Sequence, residues 1–192
     1  ARMPTVKALT IDIEKDGWDT SKGFVMRDVP MPVLDEQANP DDATSVVLKI
    51  KYAGVCGSDR GLYNRVAFKD LVHDSLQKEG KTLRINGHEF LGEVVEAGSK
   101  SGRTIGDTVT GDSHVTCGTC YQCKAGESNV CTNEKILGIS TDGIFAQYVK
   151  IPAKNLWKPS HSIRPEIAAI MDPFGNAVHA ISKVDLKGKT VA

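Results

Sequence analysis

The sequence predicts a mainly β fold carrying short helices. Three observations predict it. Short β-prone runs recur with turn signals between them from residue 5 onward, residues 46–52 alternate with a period of two, and helical spacing is confined to one short internal segment and the closing stretch. At 192 residues and 40% hydrophobic, the chain can bury one sizeable core, or one core and the beginning of a second domain.

Residues 5–13 read as a first strand, with Val6, Ala8 or Leu9, Ile11 and Ile13 supplying its apolar positions before the turn at Asp16-Gly17. A second strand is expected over 23–29. Pro30, Pro32, Asn39 and Pro40 then make a loop, because each proline removes a ladder donor and biases its predecessor toward extended geometry. Residues 46–52 form the clearest strand: Val46, Leu48, Ile50 and Tyr52 share a core face, and Val47, Lys49 and Lys51 a mostly wet one. The segment VCGSD follows at its end, where side chains leave a sheet and enter a cleft. Residues 66–78 carry Phe68, Leu71, Val72, Ser75 and Leu76 at helical spacing, closed by Gly80. Strand returns over 86–97, and the glycine-punctuated GSKSGRTIGDTVTGD suits short β runs joined by turns. Another strand is expected over 143–151. Pro165 opens a helix that continues over 166–171, Asp172-Pro173 interrupts it, and a second helix covers about 175–183. Residues 185–192 read as a turn and the first residues of a new β run, as though the natural polypeptide continued.

Twenty-four basic residues balance twenty-four acidic ones with no long run of either sign. Nothing electrostatic points to nucleic acid or a membrane surface as partner, so a small-molecule substrate is expected. No apolar run nears eighteen residues and no signal-peptide layout is present, which with metal-type thiols points to the cytoplasm. Ala1 and Arg2 ahead of Met3 read as a cloning remnant.

The most specific signal is TCGTCYQCKAGESNVC. Cys117, Cys120, Cys123 and Cys131 stand at Cys-x2-Cys-x2-Cys-x7-Cys spacing, which lets four thiolates converge on one tetrahedral zinc. Four protein ligands leave no open position, so such a site holds structure and performs no chemistry. Disulfides are the alternative, but the five cysteines leave one over. His114 could replace one thiol. The fifth cysteine, Cys56, with His88 and Glu89 of GHE, offers a thiolate, an imidazole and a carboxylate, the ligand types of a catalytic zinc. From residue types alone, a buried cysteine and a surface His-Glu pair remain open. His73, His161 and His179 read as structural or solvated.

VCGSD, GHEFLGEVVEAG, GDTVTGD, the four-thiol lobe and MDPFGNAVHA stand in the order found in zinc-dependent medium-chain alcohol dehydrogenases. The chain resembles the GroES-like catalytic domain of that superfamily, and DPFGNAVHA with His114 is most similar to the threonine 3-dehydrogenase branch. The resemblance implies a GroES-like β-barrel over 3–173, with 174–192 a linker helix and the beginning of a nicotinamide-cofactor-binding Rossmann domain. It implies two zincs, one structural and one catalytic, with Cys56, His88 and Glu89 as catalytic ligands and Asp172 beside them, ligating directly or through water. It gives Ser58 the role of passing the alcohol proton, since a hydroxyl both donates and accepts, and puts His114 at the substrate pocket. The implied reaction is oxidation of a secondary alcohol to a ketone with NAD or NADP, in a homodimer or homotetramer when full length. A polyol or sugar dehydrogenase is the alternative, and a non-catalytic zinc-binding interaction module the alternative from another class. The chain departs from the threonine and polyol pattern in three ways. Arg60-Gly61 stands where a relay His is usual, the stretch around residues 68–82 is long, and the glycine-rich dinucleotide fingerprint is absent. Alone, this stretch is expected to be inactive.

Overall fold

The computed structural model describes residues 4–191; the reading of Ala1 to Met3 lies outside them, as does Ala192 at the end of the expected closing strand. The fold is mainly β with short helices. Strand β1 (Thr5–Asp12) pairs antiparallel with β2 (Val25–Pro30) on one side and with the short β4 (Leu83–Ile85) on the other. A five-stranded sheet holds the centre, with β3 (Ser45–Gly54) between β5 (Glu89–Ala97) and β9 (Tyr148–Pro152), and β6 (Thr108–Gly111) and β10 (Leu156–Trp157) beyond β5. Val46, Leu48, Phe90, Val94, Val109, Ile144, Ile151 and Leu156 form the main core on it.

Two differences from the expected strands have clear causes. Along β3, Val47 is as buried as Val46 and Leu48, whereas Tyr52 is 45% exposed. The pairing with β5 slips between Val47 and Leu48 and again between Ile50 and Tyr52, so two bulges break the alternation that a regular strand would keep. In the expected strand over 143–151, only β9 forms a ladder. Its first half crosses between sheets, where Leu9 N–H donates to the Phe145 carbonyl at 2.7 Å and Phe145 N–H to the Asn86 carbonyl at 2.8 Å.

The helices are short. After β3, VCGSD leads into α1 (Gly57–Tyr63), a helix that the sequence does not predict. Helix α2 (Lys69–Glu79) starts three residues later than the spacing suggested and ends at Gly80, whose φ of 64° makes it a left-handed cap. Ile11, Trp18, Leu62, Val72, Leu76 and Ile139 form a second core beneath α1 and α2. The lobe hangs from a two-stranded ribbon, β7 (His114–Val115) with β8 (Lys135–Ile136), and holds the single turn α3 (Tyr121–Lys124). Near the end, α4 (Pro165–Ala168) packs Ala168 and Ala169 on Leu91. Asp172-Pro173 does not interrupt a helix. It lies in the first turn of α5 (Met171–Ile181), where a proline lacks only an N–H that would have no partner. Residues 185–191 form no strand.

Candidate functional site

Two of the sequence-predicted groups converge. The ligand atoms of Cys56, His88 and Glu89 lie within 4.8 Å of one another, as do those of Cys117, Cys120, Cys123 and Cys131.

The first group is built by the end of β3 meeting the start of β5. Gly54 is the cross-strand partner of Glu89, and a Cβ on Gly54 would lie 2.2 Å from Glu89 Oε2. Only a glycine leaves room for that carboxylate. Cys56 caps α1, and its N–H donates to Asp59 Oδ2 at 2.9 Å. Just ahead of His88, Gly87 has a φ of 85° and packs against the Phe145 ring, which its Cβ would strike at 2.3 Å, so the backbone turns sharply to deliver the imidazole. His88 and Glu89 are buried. His88 Nε2 lies 3.3 Å from Ser58 Oγ. On its other side, His88 Nδ1 lies 3.6 Å from Asp59 Oδ1, and neither atom has a hydrogen-bond partner. Burial pushes the Asp59 carboxyl above the usual carboxylate range, against the pull of the Cys56 N–H and of His88.

Asp59 is a functional residue outside the set that the sequence analysis names. Its signal was legible: an acidic residue three positions after the helix cap can reach back to the cap N–H. A carboxylate behind an imidazole that faces a metal fixes ring orientation and tautomer. A thiolate, an imidazole and a carboxylate are three ligands of the types that zinc with an open fourth position takes.

Asp172 stands apart from this group. Its Oδ1 accepts the Ser113 N–H at 2.9 Å and its Oδ2 the Ser113 hydroxyl at 3.2 Å, and its carboxylate groups with Asp112 and His114 instead. His114 N–H donates to Asp112 Oδ1 at 2.8 Å, and the ring Nδ1 lies 3.2 Å from the same oxygen. That bond holds the His114 pKa above its ordinary value, with burial opposing it. Ser113, which ties Asp172 into this corner, carries no sequence signal, because its partner is 59 positions away.

The four cysteines of the lobe and Cys56 are all free thiols, so no disulfide competes. Cys131 Sγ lies 3.6 Å from Cys117 Sγ and 3.8 Å from Cys120 Sγ. Those separations exceed a disulfide bond and match the edge, about 3.8 Å, of a tetrahedron with zinc–sulfur bonds of about 2.3 Å. The Thr119 N–H and hydroxyl and the Cys120 N–H point at Cys117 Sγ and bring its pKa down to about 5. Backbone N–H groups of Cys123 and Thr132 bring Cys120 to about 7, while burial beside the other sulfurs pushes Cys123 up to about 12. A central cation is what allows such a set to ionise together. His114 is not in the four-thiol group. His161 and His179 are exposed, and His73 packs edge-on against Trp18 at 5.5 Å. No helix among the described residues is long and apolar enough to cross a membrane.

The chain is similar to known dehydrogenases. Over 181 residues the chain is 37% identical to L-threonine 3-dehydrogenase of Bacillus subtilis, covering 94% of this chain and 47% of that protein. It superposes on a short chain alcohol dehydrogenase from Escherichia coli CFT073 in complex with NADH with a TM-score of 0.71, at 28% identity over 93% of this chain and 45% of that one. On the cobalt- and zinc-bound thermostable alcohol dehydrogenase of Pyrobaculum aerophilum the TM-score is 0.65, at 25% identity over 86% and 44% of the two chains. The chain thus spans about half the length of the curated relatives it matches. A family model described as the alcohol dehydrogenase GroES-like domain matches residues 42–161, a stretch that contains both the Cys56 group and the whole lobe. The chain belongs to the alcohol dehydrogenase GroES-like domain family.

Proposed function

We propose that this chain is the metal- and alcohol-binding part of a zinc-dependent, nicotinamide-linked dehydrogenase that oxidises a secondary alcohol to a ketone, with a threonine 3-dehydrogenase-like substrate. The observation that carries the reading is the convergence of Cys56, His88 and Glu89, with the Ser58 hydroxyl beside them. Zinc with an open position, when bound there, makes an alcohol hydroxyl more acidic. Ser58 accepts that proton and passes it outward, since its hydroxyl is both acceptor and donor. Asp59, 3.6 Å from His88 Nδ1, would orient the ring so that Nε2 could hold the metal. Asp172 acts through Ser113 to hold the His114 corner. The four-thiol lobe takes a second zinc and supplies stability only.

Nicotinamide as the hydride acceptor is supported by the NADH complex of the Escherichia coli relative. We assign residues 3–173 to the catalytic domain and 174–192 to the connection toward a cofactor-binding half. Supporting that division, Phe174, Val178 and Ile181 of α5 stand 60%, 41% and 54% exposed, an apolar stripe at helical spacing. A polyol or sugar dehydrogenase is the second reading, favoured by Arg60-Gly61 standing where the threonine pattern carries a relay His.

Zinc content by native mass spectrometry tests the assignment. Wild-type chain should bind zinc at both groups, and Cys56→Ser should lose one ion while retaining the lobe's. Unchanged zinc in Cys56→Ser would overturn the enzyme reading in favour of a zinc-binding interaction module.

A further inference from the structure

Beside the Cys56 group the chain walls a recess with cations and no acidic residue. We propose that Lys22 and Arg60 form a phosphate-binding subsite that holds a phosphorylated small molecule next to Cys56, His88 and Glu89. The recess, about 590 Å³ in volume, is lined by Lys22, Gly57, Arg60, Gly61, Asn64 and Val66. Gly57, which follows Cys56 in the chain, lines the recess, and a Cβ on it would meet nothing within 4 Å. Neither cation forms an ion pair among the described residues. The nearest acidic neighbour in sequence, Asp59, is turned inward to the Cys56 N–H and His88, which leaves the Arg60 charge uncompensated.

The two cations are also mounted on one unit. Lys22 lies between Ser21 and Gly23, and both are held by the Arg65 guanidinium. Its Nη2 donates to the Gly23 carbonyl at 2.8 Å and lies 3.4 Å from Ser21 Oγ. Gly23 N–H donates to the carbonyl of Tyr63, the last residue of α1, the helix that carries Arg60. Arg65 itself adopts a left-handed φ of 60°, packed over the Trp18 ring at 5.5 Å, while Trp18 Nε1 donates to its carbonyl at 3.1 Å. A strained backbone held by this many partners fixes the Lys22 segment against α1.

Two unpaired cations suit a phosphate monoester, which carries between about 1.5 and 2 negative charges at neutral pH, better than a singly charged carboxylate. Arg60 can offer two parallel N–H groups to two phosphate oxygens, and Lys22 adds a point charge. The phosphate can belong to the alcohol substrate or to a nicotinamide dinucleotide. That choice rests on the dehydrogenase reading; binding at Lys22 and Arg60 does not.

The test is an NMR titration of the ¹⁵N-labelled, zinc-loaded chain with inorganic phosphate, at chloride-matched ionic strength. Saturable shifts are expected at Gly57, Gly61 and Asn64. The Lys22→Ala/Arg60→Gln double variant should bind about tenfold more weakly, and Arg60→Lys should fall between, because it keeps the charge and loses the fork. Competition by glycerol 3-phosphate assigns the subsite to substrate, and competition by NADH alone assigns it to cofactor. Absence of saturable shifts at those residues, equal affinity in the double variant, or the same shifts with chloride would each overturn the proposal. Zinc content of the same samples reports on the dehydrogenase reading independently.

Discussion

Gly54 shows how a missing side chain can decide a metal site. Its place opposite Glu89 leaves the carboxylate only the space that a Cβ would take, with contacts of 2.2 Å to Oε2 and 2.9 Å to the Glu89 Cβ. Gly54→Ala should therefore turn Glu89 away and release zinc from the Cys56 group while the lobe keeps its own, as read by metal analysis of the purified variant. Retention of both ions would show that Glu89 is not needed as a ligand. His114 gives a second prediction at this scale. Because its bond to Asp112 raises the folded-state pKa above 6.5, Asp112→Asn should bring the imidazole back down toward that value in an NMR titration. The sign of the linked stability follows. A raised folded pKa stabilises fully below the unfolded value and loses that contribution as pH rises through the folded one. Wild type should thus exceed Asp112→Asn in stability by more at pH about 5.5 than at pH about 8.

Elements were legible where local chemistry alone decides them, and illegible where a partner far along the chain does. Gly80 closes α2 as read, because a left-handed cap is a property of glycine itself. Helix α1 went unread because seven residues beginning Gly-Ser show no period, and its start rests on Asp59 reaching the Cys56 N–H. The metal groups were legible as residue types and spacing. That Asp172 binds Ser113 was not, since it depends on how α5 settles against the turn after β6. The long stretch around α2 illustrates both cases. Its helical spacing was visible, but the side chain that fastens it, Arg84, lies beyond it in β4. The Arg84 side chain is fully buried, donating to Glu79 Oε2 and Asp142 Oδ1 at 3.1 Å each and to Ser75 Oγ at 3.0 Å. Arg84→Met should cost about 3 kcal/mol, near the lower end for breaking a buried pair. The lower end applies because Glu79 and Asp142 keep partial access to water and to Lys81. Denaturant unfolding measures this cost. A change below about 1 kcal/mol, the range of surface pairs, would mean that α2 is held by its apolar face alone.

Across the whole molecule, stability divides between a barrel held by apolar packing and a lobe that has none. Between Cys117 and Glu134 only Cys131 is buried, and Tyr121 and Val130 stand 83% and 57% exposed. Ordering such a stretch costs roughly 1 to 2 kcal/mol per residue in backbone entropy alone, with only the Cys131 side chain buried to offset it. Zinc on four thiolates contributes on the order of 10 to 16 kcal/mol and is the largest single interaction the lobe can draw on. Chelation should therefore melt the lobe and spare the barrel. In hydrogen exchange, amides 117–134 should lose protection, while those of β3 and β5, with Val46, Leu48 and Val94 fully buried, should keep it. Protection of the lobe after complete zinc removal, or loss of the barrel along with it, would refute this division. The same sulfurs set the pH dependence. Thiol protons compete with the metal, and with Cys120 near about 7 and Cys123 pushed up to about 12, at least one proton must leave on zinc binding throughout the neutral range. Zinc affinity of the lobe should thus rise with pH between about 6 and 8, measured by competition with a chromophoric chelator whose own pH dependence is known. A flat profile would mean that the four sulfurs are already ionised before the metal arrives.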